Sequence, residues 1–285
     1  MPEKKKNHYL PKMLLKHWVS HDGKRKGIYT MDSERGKVYF SEIKGTGGYN
    51  FASKDNLYIP NIDGSRRLEL ENWLTGLEST LDRIVIKLQS VKSDGLFSSF
   101  EEMNKFLLSI VSLQHRTRYV IEQNLNYLNE NKNSRKLLHE SKGKEDKQLI
   151  LENIVNASTA TAAKFRQFEL LVCKSKDKSL IFGDMPYLSD IVDGFSFVPL
   201  TNKLFVSIRA ITENSFYKFV DVENDVVESL NYAIASNSVN WIVADNLVQL
   251  EELEEVFNSN IKVKSKYVKN ELPVYGSTFK RKNST

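Results

Sequence analysis

Cysteine is almost absent. The 285 residues carry one, Cys173, inside the apolar run Leu170-Leu171-Val172-Cys173. A lone thiol excludes an internal disulfide framework and a four-cysteine zinc site. Only Lys174 beside it would favour a thiolate, so it reads as a small buried hydrophobe. Long apolar runs are missing too: no stretch approaches the roughly 20 residues needed to cross a bilayer. The basic start, Lys4-Lys5-Lys6, lacks the apolar block of roughly 7–15 residues that a secretory signal requires. A reducing cytoplasm, away from membranes, is the expected location.

Established catalytic signatures are absent as well. There is no Gly-x-Ser-x-Gly, no His-Glu-x-x-His, no Walker loop and no dinucleotide fingerprint. Gly45-Thr46-Gly47-Gly48 lacks the strand–loop–helix setting and the following Lys-Ser/Thr of a phosphate cradle, and reads as a flexible loop. No single motif therefore names a reaction, and whether the chain is an enzyme stays open at this point.

What is present is an ordinary globular composition, 40% apolar and 27% charged. The length suffices for a core without staples. A net charge of +5 permits an acidic partner such as nucleic acid without marking a dedicated binder. Part of that excess lies in Lys4-Lys5-Lys6 and Lys280-Arg281-Lys282, which read as solvated ends.

Periodicity divides the chain into three regions. Residues 7–60 are β-like, with Ile28-Tyr29-Thr30 and Lys37 to Phe40 as strands and Asp22-Gly23 and Arg35-Gly36 as turns. Residues 68–168 are helical. Leu70, Trp73, Leu74, Leu77, Leu81, Ile84, Val85 and Leu88 form one apolar stripe. Ser99 opens a second helix that carries Phe106, Leu107, Ile110 and Val111 into Gln114-His115-Arg116-Thr117-Arg118. Asn129 to Lys147 reads as an exposed connection, and a third helix passes through Ile150 and Ile154 toward Phe168. In residues 169–257 strands return at Glu169–Lys174, Ser179–Gly183, Phe195–Leu200 and Lys203–Ile208. The first two of these are expected to form a hairpin about Ser175-Lys176-Asp177-Lys178. A helix at Asp225–Ala235, a strand at Trp241–Ala244 and a helix at Leu247–Phe257 follow. The expectation is one α+β domain over residues 1–265, with N-terminal strands, a central helical bundle and C-terminal mixed strands and helices packed as one unit. Its two strand regions should meet, and residues 266–285 should form a basic tail.

Three polar motifs sit in apolar surroundings: His8-Tyr9-Leu10-Pro11 with Leu14-Leu15 and Trp18, then Gln114-His115-Arg116-Thr117, then Phe182-Gly183-Asp184-Met185-Pro186. Tails lack the apolar side chains that offset ordering, so the first motif is expected to dock on the body. In this order and spacing, over about residues 7–257, the motifs resemble the bacterial domain-of-unknown-function 4238 family. Glu71 and Glu78, Pro199-Leu200-Thr201 and Asn231 add to the resemblance. Family members typically carry a proline shortly after the helix arginine, where this chain has Arg118-Tyr119. The resemblance brings no settled biochemistry; by association it implies accessory toxin or anti-phage roles.

Each motif has two readings. His8 can be an acid, base or ligand, or can settle hydrogen bonds within its own turn. His17 and His21 have ligand spacing but no evident third ligand. Arg116 and Arg118, placed on one helix, point to different faces, and an inward arginine needs a carboxylate or an anion. Asp184, a glutamate of the first long helix and a bound phosphate are its candidate partners, and Gln114 is the neighbouring neutral hydrogen-bonding group. Asp184 is either a placed carboxylate or a turn former. Glu71 and Glu78 share a helix face and, with an Asp, would suit a divalent metal; equally, Arg67 and Arg83 lie near enough to pair with them. Tyr29, Tyr39, Phe40, Tyr49 and Phe51 either stack bases or line a sheet core.

The leading expectation is a hydrolase or nuclease-like effector acting on nucleic acid or a nucleotide, with His8, Arg116 and Asp184 converging as catalytic groups. Tyr9, Gln114, Glu78 and Asn231 are the candidate binding residues. No dedicated metal site is identified, although a divalent cofactor is compatible. The rivals are a non-catalytic binding or interaction module with a buried polar network, and an RNA-binding protein. No protein partner is indicated.

Overall fold

The computed structural model describes residues 6–43, 53–55, 57–59, 61–62, 65–66, 68–133, 136, 146–166, 168–190, 195–209, 216–259 and 277–278. Lys4 and Lys5, the Gly45–Gly48 loop, Tyr49, Phe51, Arg67 and all of the basic tail except Ser277-Thr278 lie outside these residues. The fold is α+β. It opens with β1 (Lys6–His8), α1 (Lys12–Leu15), a 3-10 turn (Lys16–Trp18), β2 (Ser20–Asp22), β3 (Arg25–Asp32) and β4 (Val38–Glu42). Then come the short β5 (Ser53–Asp55), β6 (Asn61–Ile62) and β7 (Ser65–Arg66). The middle holds α2 (Glu69–Gln89), β8 (Gly95–Leu96), α3 (Phe100–His115), α4 (Arg118–Glu130) and α5 (Asp146–Phe165). The rest is β9 (Glu169–Ser175), β10 (Phe182–Gly183), β11 (Leu188–Asp190), β12 (Phe195–Pro199), β13 (Leu204–Arg209), β14 (Phe216–Val222), α6 (Asn224–Asn237), β15 (Trp241–Ala244), α7 (Leu247–Glu251) and β16 (Ser277–Thr278).

Two larger sheets organise these elements. The first runs β10-β15-β3-β2, with β4 also on β3. Its joint is Trp241–Ala244 antiparallel to Tyr29–Asp32, so the N-terminal and C-terminal strand regions meet, as their sequences anticipate. Gly23, at φ +61°, turns β2 into β3, a backbone angle that favours glycine. The second sheet runs β16-β11-β12-β13-β9-β14-β8, with β14 parallel to β9 and the remaining central pairs antiparallel. Period-two alternation gives it two apolar faces. Leu170, Val172, Val206 and Tyr217 join the core that holds α2 and α3, while Leu171, Cys173, Phe205 and Val222 join a second core with α6. Cys173 is buried, as expected.

Helix α2 buries the stripe Leu74, Leu77, Leu81, Ile84, Val85 and Leu88, each such side chain contributing about 2 kcal/mol. Ser99 caps α3 by accepting from the Glu102 amide at 3.0 Å, while the Glu102 carboxylate accepts from the Ser98 amide at 2.8 Å. α3 packs between α2 and α5 and is buried along most of its length.

Three expectations require correction. The α3 helix does not run through Arg118: it ends at His115, and Thr117 caps a separate helix, α4, by accepting from the Val120 amide at 3.3 Å. Ser179–Gly183 is no hairpin partner of β9; only Phe182–Gly183 is a strand, and it pairs with β15 in the other sheet. Strand β14 is not among the expected strands; it lies parallel to β9, with only the short β8 beyond it in the sheet.

Candidate functional site: a buried arginine at a helix break

Apolar contacts set the N-terminal motif in place first. Leu10, Leu14, Leu15 and Trp18 are fully buried in the main core, and Tyr9 packs with Tyr58, Leu74, Ile121, Leu128 and Ile154. The Trp18 indole stacks obliquely on Phe182 at 4.7 Å and donates Nε1–H to the Leu180 carbonyl at 2.6 Å. The docked front end expected from sequence is thus present.

Docking at this point leaves main-chain carbonyls facing inward, and Arg116 meets them. Its Nε donates to the Tyr9 carbonyl at 2.9 Å; its Nη2 donates to the His8 carbonyl at 3.2 Å and to Glu78 Oε1 at 2.5 Å. The Tyr58 hydroxyl donates to the Arg116 carbonyl at 3.0 Å and to the Tyr9 carbonyl at 3.4 Å. Its ring lies 5.5 Å from the guanidinium. Arg116 is only 1% exposed. Burial pulls its pKa down, but the Glu78 carboxylate and Tyr58 more than offset this and leave it raised. Burial raises the Tyr58 phenol far above its usual range. Burial also raises Tyr9, partly countered by Arg118.

The helix break makes this geometry possible. With α3 ending at His115, Arg116 leaves the helical path and turns its side chain toward the N-terminal segment. Arg118 begins α4 and pairs at the surface with Glu122 at 2.7 Å. Of the candidate partners for Arg116, the glutamate of the first long helix is the one found. Glu78 takes this role instead of pairing with Arg83, and its side chain keeps 31% exposure.

The three residues expected to converge are engaged differently. His8 and Arg116 come together through the His8 carbonyl. Asp184 has its own partners: it accepts from the amides of Val239 at 2.8 Å and Asn240 at 2.9 Å, and from Asn240 Nδ2 at 2.6 Å. Its own amide donates to the Trp241 carbonyl at 3.1 Å. It therefore ties β10 to the turn before β15, and Arg116 has no hydrogen bond or ion pair with it. A Cβ on Gly183 would collide with the Ser238 side chain, so the glycine serves close chain packing. Asn231, an expected binding residue, is buried and clamps the chain before β10: it accepts from the Ile181 amide and donates to the Ser179 carbonyl, both at 2.9 Å. Gln114 is buried, and its main-chain carbonyl accepts from Thr117 Oγ1 at 3.4 Å.

His17 sits in the 3-10 turn and His21 on β2. Among the described residues, no three His, Cys, Asp or Glu side chains gather closely enough to hold a metal ion. No helix of the described residues is long and apolar enough to cross a membrane. Tyr58 is the residue of the cluster that sequence reasoning missed. Its signal was the apolar-aromatic triplet Leu57-Tyr58-Ile59 ahead of Pro60, which reads as buried chain rather than loop.

A family model described as a protein of unknown function, DUF4238, matches residues 6–246. The chain belongs to the DUF4238 family. The matched span includes all three polar motifs and every residue of the Arg116 cluster. Searches of curated proteins and of solved structures returned no match.

Proposed function

We propose that this DUF4238 chain is a non-catalytic binding or interaction module of the cytoplasm, in which the His8-Tyr9-Leu10-Pro11 and Gln114-His115-Arg116-Thr117 motifs form a structural latch. One observation carries the reading: the buried Arg116 guanidinium spends its Nε and Nη2 donors on the His8 and Tyr9 carbonyls and on Glu78. Phosphate-binding arginines keep such donors directed at the ligand. Asp184 likewise spends both carboxylate oxygens on the 239–240 turn.

The test compares wild type with His8→Ala in degradation of single- and double-stranded DNA and RNA, with and without Mg²⁺ or Mn²⁺. Because His8 meets Arg116 through its main-chain carbonyl, the alanine variant is expected to keep the latch and its folding. The expected result is no cleavage by either protein. Cleavage by wild type that is lost in a folded His8→Ala variant would instead establish the hydrolase or nuclease reading.

A further inference from the structure

The second apolar face of the seven-stranded sheet is not filled along its whole length. Between this face and the N-terminal half of α6 lies a cavity of about 560 Å³, within the range of small-molecule sites. Leu171, Phe205 and Val220 line its floor, all on the face that also carries the second core. Ser207 interrupts this apolar set. It shares a face with Phe205 by strand alternation and is only 8% exposed. Ser207 lines the cavity. A hydroxyl on the cavity wall offers a ligand both a donor and an acceptor.

The mouth has a charge sign opposite to that of the chain as a whole. Asp221, Glu223 and Asp225 ring it, in a protein of net charge +5. Glu223 pairs with Lys176 at 2.7 Å. Among the described residues, exposed Asp221 and Asp225 form no ion pair. Asp225 sits in the first turn of α6, where the helix dipole favours a carboxylate. That argument does not reach Asp221, which lies on β14.

We propose that this cavity binds a small amphiphile with an apolar body and one amine cation, the body against the sheet, a polar atom at Ser207 and the cation at Asp221 and Asp225. The inference gives the binding reading a ligand and rests on it for its biological sense. Nucleic-acid cleavage would overturn that reading and leave ligand uptake untouched; failed uptake would overturn the inference and leave the latch untouched.

Titration calorimetry of the full chain with dodecylamine and with dodecanoate, both below their micellar concentrations, tests it. One amine per chain is expected, with dodecanoate at least tenfold weaker. Asp221→Asn with Asp225→Asn, at exposed positions where folding is unaffected, should weaken the amine several-fold and erase the preference. Ser207→Phe should fill the cavity and abolish uptake. If that variant misfolds, the exposed double variant still decides the matter. No binding, equal affinity for the two chains, or amine binding unchanged in the double variant would overturn the proposal.

Discussion

Arg116 shows how one side chain comes to be buried with its charge intact. Removing a partner from a buried ion pair costs about 3–5 kcal/mol, and here two main-chain carbonyls share the guanidinium with Glu78. The sequence indicates that one of Arg116 and Arg118 points inward and needs a partner, with Asp184, a glutamate of the first long helix or a bound phosphate as candidates. It could not choose between Glu78 and Asp184, because both are distant along the chain and spacing carries no information across that gap. Neighbouring His115 makes a separate, testable point. Burial pushes its imidazole down to about 4, so the folded chain holds it neutral where the unfolded chain, at about 6.5, takes up a proton. Stability is then complete at pH 7 and falls as pH drops from about 6.5 toward 4, by up to about 3 kcal/mol. His17 shifts in the same direction through burial and Lys16, so a comparison isolates His115. In thermal unfolding between pH 7 and pH 5, His115→Gln should lose less stability than wild type; parallel profiles would refute this.

Among the helices and strands, amphipathic pattern is legible in the sequence and long-range pairing is not. The stripe of α2, the Ser99 cap and the glycine turn at Gly23 follow from local chemistry, and each is found. The break between α3 and α4 was missed, yet Thr117 followed by a helical run is a capping signal. The mistaken hairpin at Ser179–Gly183 has a clear cause: Asn231 and Trp18 hold that segment away from β9 and deliver Phe182–Gly183 to the other sheet. β14 joins β9 in parallel, a pairing that needs a long connection and leaves no turn signal beside it. Asp184 secures the β10–β15 junction. Asp184→Ala should strand two amides and lower stability by about 2–3 kcal/mol, with Asp184→Asn losing less because one acceptor remains. Urea unfolding midpoints at constant m-value would measure this; a change below 0.5 kcal/mol, the usual size for an uninvolved surface site, would contradict it.

Considered together, the chain closes on itself at two places. One is the β3–β15 pairing, where residues more than two hundred apart complete a sheet. The other is the latch, which fixes the start of the chain against α2 and the end of α3. The N-terminal docking could be read from the density of apolar residues around His8-Tyr9-Leu10-Pro11. The bonds from Arg116 to the His8 and Tyr9 carbonyls could not, since every residue possesses a main-chain carbonyl. The latch is best examined by hydrogen exchange of Arg116→Met against wild type, followed at residues 8–18 and 57–59. Loss of Arg116 should strip protection from these segments and lower the melting temperature by roughly 6–10 °C, while β9, β13 and β14 stay protected. Unchanged protection and melting temperature in Arg116→Met would show that the arginine does not hold the front of the chain, and would return it to the role of a ligand-binding group.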